Sequence, residues 1–434
     1  MKKSYIFLFI IFMFIISCGN KVTSPNDGSI TYYDPNNTIV KTYSYRVNDA
    51  KTGNMVDTEG AFKKLAESAN AIIYVEESQI DKGITKESVL SFLREFENYL
   101  PKEIEIYGEI PDFDGNGKVI FLMAELNINI TPETVSKLGG YFSSADIIYG
   151  KEGVRGEYLH VNVPTSDGTL GTMMHELQHL INFNVNYFNN GREMDLWLNE
   201  ALSESTSHIF SQSIVDRRKS IFNDIPYYSF YTWNLSYIDG STSGIVPVGG
   251  NGNILISYAS SSMFMKWLDS KTGGKQEIYK KIAHSDPSLI SEQRLMNVLS
   301  QYGFGNDMNT VLLDWIEGVN KGEVQGINIA PIDPTDPKFN INGSIALLPK
   351  SLVVYSTANN PISDPKTKTI ELGQTGLSAV INTSVNQNPG KGIASAADVV
   401  NLSLKKAANL NSSIKYQRAN LTGSGHFIDK VITK

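Results

Sequence analysis

The residues that could do chemistry stand close together: His175-Glu176-Leu177-Gln178-His179, then Trp197-Leu198-Asn199-Glu200-Ala201. They supply two imidazoles, a carboxylate between them and a second carboxylate some twenty residues on. A catalytic zinc site needs three protein ligands, an open position for water and a base to deprotonate that water. In a helix each residue turns about 100°, so His175 and His179 lie about 40° apart on one face and can address one ion. Glu176 falls at the edge of that face, within reach of the water but not of the metal. The competing reading is a core helix that merely carries two histidines. With six histidines in 434 residues, chance would place His-Glu-x-x-His in roughly one such chain in a few hundred.

The elements that must position these groups are legible around them. Leu170, Met173, Met174, Leu177, Leu180 and Ile181 recur at steps of three and four, the apolar stripe of a buried helix, and Asp167-Gly168 offers a turn and a cap before it. A third histidine ligand in the His-Glu-x-x-His-x-x-Gly-x-x-His pattern would need Gly and His where Asn182 and Val185 stand, which excludes the metzincin arrangement. A carboxylate from a second helix remains. Asp195 could cap that helix, and Leu198, Ala201, Leu202 and Ile209 suit its buried face. Glu200, Glu204 and His208 step by four along one stripe, so all three are candidates. Glu200 ranks first because Trp197, Leu198 and Ala201 press around it. Glu204, a turn further on, suits an acceptor for the N–H of a ligand histidine. His208 is a weaker candidate, better read as a support behind the ligands or as simply structural.

His175 to His179, the gap, and Asn199-Glu-Ala-Leu-Ser-Glu204 resemble the gluzincin metallopeptidases. More closely, His175-Glu-Leu-Gln-His-Leu-Ile-Asn-Phe-Asn184 with Trp197-Leu-Asn-Glu-Ala-Leu-Ser-Glu204 resembles the hyicolysin family of secreted bacterial metallopeptidases, as do Gly140-Tyr-Phe-Ser-Ser-Ala145 and Asp112-Phe-Asp-Gly-Asn-Gly-Lys118. The resemblance covers residues 45 to 325 and is specific at the zinc motif. It implies endopeptidase activity on protein or peptide substrates, with His175, His179 and Glu200 as zinc ligands and Glu176 as base. The Gly-x-Met-Glu-Asn segment of the aminopeptidase branch does not occur, which favours cutting inside chains. Related gluzincins place a tyrosine at the start of a helix after the glutamate ligand. Tyr258, ahead of an expected helix Ala259 to Leu268, is similar in position and a candidate oxyanion donor. Tyr227, Tyr228 and Tyr231 compete for that role.

Lys2-Lys3 followed by the apolar run Tyr5 to Ile16 reads as a secretion signal. It ends in Ile15-Ile16-Ser17-Cys18-Gly19, which resembles the bacterial lipobox; the expectation is a lipid anchor on Cys18 and a place at the cell envelope, on the outer membrane or cell surface. Cys18 is the single cysteine, so neither an internal disulfide nor a thiolate zinc site can form. Loss of residues 1 to 17 removes Lys2 and Lys3 and takes the formal charge from −7 to −9, which argues against nucleic acid as a partner. Oligomeric state is not readable.

Strand and helix patterns alternate from 44 to 165: Ala71 to Val75 and Val119 to Met123 as strands, and a helix with Val89, Phe92, Leu93, Phe96 and Leu100 on its face, stopped by Pro101. Residues 169 to 320 read as mainly helical, including Arg294 to Tyr302 and Met308 to Val319. The expected fold class is α+β: a two-lobed gluzincin-like peptidase with the zinc helix in the cleft, then a small β-sandwich-like domain. The expected boundaries are a leader 1–17, a flexible tether 18–43, the peptidase 44–325, a linker 326–340 and a β-rich domain 341–434. Ser344 to Tyr355, Thr367 to Leu372, Leu377 to Thr383 and Val399 to Leu404 are the strands of that last domain.

Asp112, Asp114, Asn116 and Gly117 match the first half of a calcium loop, but its twelfth position is Met123 instead of Glu. A polar turn between strands is the alternative to Ca2+ there. Gly249-Gly250-Asn251-Gly252 lacks the lysine and hydroxyl of a phosphate loop and reads as a loop near the cleft. No Gly-x-Ser-x-Gly elbow occurs. Outside the zinc peptidases, the rival is a non-catalytic surface lipoprotein, an adhesin or binding module with a structural or degenerate metal site.

Overall fold

The computed structural model describes residues 30–434 apart from 53, 133, 135, 152–153, 234–252, 334–343, 358–363, 374–375, 386–399, 404–424 and 430–434. The leader, Cys18 and Gly249–Gly252 therefore lie outside the described residues. In chain order the first elements are β1 (Thr31–Tyr32), β2 (Val40–Asp49), β3 (Asn54–Glu67), β4 (Ala71–Glu76), α1 (Lys86–Tyr107), β5 (Val119–Ala124), β6 (Asn127–Ile128), β7 (Ser136–Phe142), α2 (Ser144–Ile148) and β8 (Tyr158–Asn162). A helical portion follows: α3 (Thr169–Phe183), α4 (Leu196–Phe210), α5 (Gln212–Asp224), the short β9 (Tyr227–Tyr228), α6 (Asn253–Lys271), α7 (Glu277–Ala283), α8 (Ser291–Ser300) and α9 (Met308–Asn320). The chain closes with β10 (Ser344–Leu347), β11 (Leu352–Ser356), β12 (Thr367–Glu371), β13 (Leu377–Asn382), β14 (Val400–Ser403) and β15 (Gly425–Asp429).

A nine-stranded mixed sheet runs β15-β7-β8-β5-β4-β3-β2-β6, with β1 also on β3. β4, β5 and β8 are parallel neighbours at its centre. Every residue of β5 is buried, as expected of a parallel strand covered on both faces, and its sequence Val-Ile-Phe-Leu-Met-Ala carries no alternation. β7 returns antiparallel beside β8, and α3 packs across both strands. Gly140 permits that approach: a Cβ there would sit 2.2 Å from Met173 Cε and 2.7 Å from the His160 carbonyl. On its other side α3 packs along α4, which in turn packs on α6.

α1 starts in a capping box, Thr85 with Ser88, and runs past Pro101 to Gly108, which has φ 119°. The expected stop at Pro101 is thus corrected. Proline costs one backbone hydrogen bond, but Glu103, Ile106 and Tyr107 beyond it are buried, and continuing the helix lets Tyr107 Oη meet Ser205 Oγ of α4 at 2.7 Å. The expected tether is also ordered in part. Residues 31–32 pair with β3, Tyr33 donates to Glu67 Oε2 at 3.0 Å, and β2 begins at Val40. Aromatic side chains there hold polar residues against the sheet, which composition alone does not reveal.

After residue 340 the expected strands are present, with Ser344 to Tyr355 divided into β10 and β11, and some of them join sheets begun earlier. β12-β13-β11 is extended by β9 from the helical portion, and β10 pairs with β14. Between these two sheets lies a small core of Ile345, Leu347, Val353, Val380, Val400 and Leu402 that also takes in Tyr227 and Ile256. β15 leaves this region altogether and pairs antiparallel with β7. The small antiparallel sheet is therefore shared with the helical portion. Among the described residues no helix is long and apolar enough to cross a membrane.

Candidate metal centre

α3 is buried along its whole length, which is why its polar residues must find partners inside. His175 and His179 face α4, where Glu200 sits in the second turn. His175 Nε2 and His179 Nε2 are 3.1 Å apart, and Glu200 Oε2 lies 3.4 Å from the first and 3.5 Å from the second. A tetrahedral zinc with bonds near 2.05 Å would set its ligand atoms about 3.3 Å apart. The three side chains are each 2% exposed or less. Glu200 Oε2 is buried and accepts no well-formed hydrogen bond. Burial would raise the Glu200 carboxyl, but the imidazoles of His179 and His175 hold it down, at about 2. Burial likewise opposes a charged His179, but Glu200, Glu176 and Asn199 together raise that imidazole.

The far side of each ring decides the tautomer. His175 Nδ1 faces Glu204 Oε1 at 3.5 Å. His179 Nδ1 lies 3.1 Å from Asn199 Oδ1 and 3.0 Å from Ser203 Oγ. The Ser203 hydroxyl donates to Gln178 Oε1, so it receives from His179. With both Nδ1 atoms donating, both Nε2 lone pairs and one carboxylate oxygen converge on a single point. Mutual repulsion of these acceptors is relieved by a cation, and their types and spacing fit zinc.

Glu204 is fixed by a buried fork: Arg218 Nε donates to Oε2 at 2.9 Å and Nη2 to Oε1 at 3.1 Å. The same guanidinium lies 4.6 Å above the Tyr258 ring. α4 tolerates its buried hydroxyls because they bond back to its own carbonyls, Ser205 to Leu202 at 2.6 Å and Ser207 to Glu204 at 2.7 Å. Glu176, fully buried, accepts from the Phe142 N–H at 2.8 Å, which ties it to the end of β7.

Tyr258 lies within α6, since the helix begins at Asn253, earlier than expected. Its ring is 6.1 Å from that of His175 and meets Trp233 edge-on at 4.9 Å. Burial, then the charges of Glu200, Glu176 and Glu204, push its hydroxyl well above the usual range, so it stays a donor. The competing tyrosines are engaged elsewhere: Tyr227 donates to the Ala346 carbonyl, Tyr231 donates to Glu292, and Tyr228 packs against Phe222. His208 pairs with Tyr279 and Ser262, apart from the triad. Asp195 stands at the start of α4 without capping it by its side chain, and Gly168, with no side chain, fills the position before α3. Sequence reasoning missed Arg218, Asn199, Ser203 and the Phe142 N–H. Only Asn199 and Ser203 carried a signal, as neighbours of Glu200 at helical spacing.

Two helical imidazoles four residues apart and a carboxylate from the next helix, with a further carboxylate beside them, form a buried group that could hold one metal ion. The comparison with known proteins agrees at that level. The chain is 27% identical over 305 residues to "Neutral metalloprotease ShpI" of Staphylococcus hyicus, which spans 66% of this chain and 66% of that protein, a little under two thirds of its length. That similarity supports a metallopeptidase relationship in general. No protein-family profile matches the chain.

Proposed function

We propose that this protein is a zinc-dependent endopeptidase of the gluzincin type, close to the hyicolysin-like enzymes, and that it works at the cell envelope from a lipid anchor on Cys18. The observation that carries the catalytic part is the convergence of His175 Nε2, His179 Nε2 and Glu200 Oε2 at 3.1 to 3.5 Å with Glu176 on the same helix. The relative named as a neutral metalloprotease supports the same reading. The anchor rests on the residues around Cys18 alone.

Zinc, when bound, supplies Lewis-acid polarisation of a carbonyl and of a water. Glu176, held by the Phe142 N–H, takes a proton from that water as its oxygen attacks the scissile carbonyl carbon. It passes the proton to the amide nitrogen as the C–N bond breaks. Tyr258 offers its O–H to the oxyanion. Glu204 and the Asn199–Ser203 pair hold the imidazoles in one orientation.

The test is Glu176→Gln in the soluble mature protein. The variant should keep zinc by elemental analysis and lose casein cleavage by about 10³-fold. Retained cleavage would remove Glu176 from the base role. A wild-type protein that binds zinc yet cuts no member of a peptide library would point to a binding module instead. Palmitate labelling that persists in Cys18→Ser would refute the anchor.

A further inference from the structure

The turn between α1 and β5, Asp112 to Gly117, meets Glu157 just before β8, on sequence 40 residues away from the turn's end. Carboxylate oxygens of Asp112, Asp114 and Glu157 all lie within 4.8 Å of one another. Asp112 is exposed and Asp114 half-buried, whereas Glu157 is 0% exposed. Glu157 Oε1 accepts from the Phe113 N–H at 2.6 Å, but Oε2 is buried with no hydrogen-bond partner. A buried carboxylate oxygen left so is costly unless a proton or a metal cation meets it; burial, with the charges of Asp114 and Asp112 adding to it, pushes the Glu157 carboxyl up to about 8.

Among the described residues, none of the three carboxylates forms a salt bridge with a lysine or arginine, and only the more distant charge of Lys41 acts on Asp114. Lys118, the nearest in sequence, is drawn off to the Ser68 carbonyl at 2.7 Å and to Glu67. The turn is shaped by its own bonds, Asn116 N–H to Asp114 Oδ1 at 3.0 Å and Gly117 N–H to Asp112 Oδ1 at 3.1 Å. Gly115 and Gly117 hold φ of 73° and 70°, which turns the acidic residues to one side. None of these bonds reaches Glu157 Oε2.

We propose that Asp112, Asp114 and Glu157 bind one Ca2+, with Glu157 acting as the ligand that the linear loop lacks. Position twelve of the loop is Met123, which is fully buried in β5; the fold supplies the missing carboxylate from the residue just before β8. An all-oxygen, anionic set excludes soft-metal preference. An irregular turn with one buried and two accessible carboxylates suits the variable coordination of Ca2+ better than the strict octahedron of Mg2+. The ion would also brace the metal helix. Phe113, between two of the ligands, packs edge-on against Phe188 at 4.6 Å, and Phe188 closes the π-turn that continues α3. This inference does not depend on the peptidase reading.

The test uses zinc-loaded mature protein, titrated with CaCl2 and separately with MgCl2, with thermal unfolding as readout. At roughly a hundredfold excess over its dissociation constant, Ca2+ should raise the melting midpoint by about 5 °C, and Mg2+ by far less. Terbium luminescence excited through tyrosine, with Tyr158 next to the site, should appear and be displaced by Ca2+. Glu157→Gln keeps the acceptor for Phe113 and should lose both signals while retaining zinc; Asp112→Asn/Asp114→Asn, on the accessible side, should do the same. An unchanged midpoint at millimolar Ca2+, or a full Ca2+ response in both variants, overturns the proposal. An equal response to Mg2+ overturns the choice of ion.

Discussion

Glu204→Gln separates two duties that one carboxylate performs. Glu204 is 0% exposed and Arg218 1% exposed, and two hydrogen bonds of 2.9 and 3.1 Å join them. Removing one charge of a buried pair costs about 3–5 kcal/mol. The amide oxygen of Gln still accepts from one arm of the guanidinium, so the loss belongs at the lower end, about 3 kcal/mol. The second duty is to receive the His175 Nδ1–H. That contact is long, 3.5 Å, so the effect on zinc affinity belongs at the weak end of the usual range, about tenfold. Urea unfolding of the zinc-free protein measures the first, and competition with a chromophoric chelator the second. The double variant Glu204→Gln/Arg218→Met should recover most of the stability, because no buried charge is then left without its counter-charge, and should recover none of the affinity. A single variant whose zinc dissociation constant stays within about twofold of wild type would refute the claim that Glu204 tunes His175. A double variant no more stable than the single would refute the electrostatic account of the fork.

Tyr258→Phe should lower kcat by about 10²-fold with little change in KM and with zinc content intact, if its hydroxyl meets the oxyanion; a kcat close to wild type would return Tyr258 to a packing role. Gly140→Ala should cost about 2–3 kcal/mol by denaturant titration, since the added methyl overlaps Met173 Cε and the His160 carbonyl on either side. His160 is buried, stacks on Tyr141 and shares its Nε2 with Asp146 at 2.9 Å. Burial, reinforced by Lys151, lowers its imidazole to about 4 despite the Asp146 carboxylate. Because that value lies below the unfolded one, stability is retained above about pH 6.5 and lost as pH falls towards 4, by about 3 kcal/mol. Wild type and His160→Gln unfolded in urea at pH 7.5 and pH 4.5 should differ in this slope; equal slopes would show that the fold does not lower the His160 imidazole.

The chemistry-bearing residues were legible because helical geometry is local. An i, i+4 spacing places His175 and His179 on one face whatever surrounds them, and an apolar stripe around them identifies the helix. The strands Val119–Ala124 and Leu377–Asn382 were legible for the same reason: each is a short run whose burial its own residues dictate. Pro101 misled because the local cost of a proline is set against burial of Tyr107 and its neighbours, which only packing supplies. Residues 31–43 misled because polar composition does not show that β3 offers an edge to pair with.

The sequence by itself determined that His175 and His179 share one helix face and that Glu200, Glu204 and His208 follow along one stripe of the next helix, since those follow from residue type and a fixed periodicity. It could not determine that Arg218 forks onto Glu204, that the Phe142 N–H anchors Glu176, or that Glu157 closes on Asp112 and Asp114. These partners are distant in sequence, and no periodic rule links them. Only the packing of α5 on α4, of α3 on β7, and the parallel pairing of β5 with β8 bring them within bonding distance.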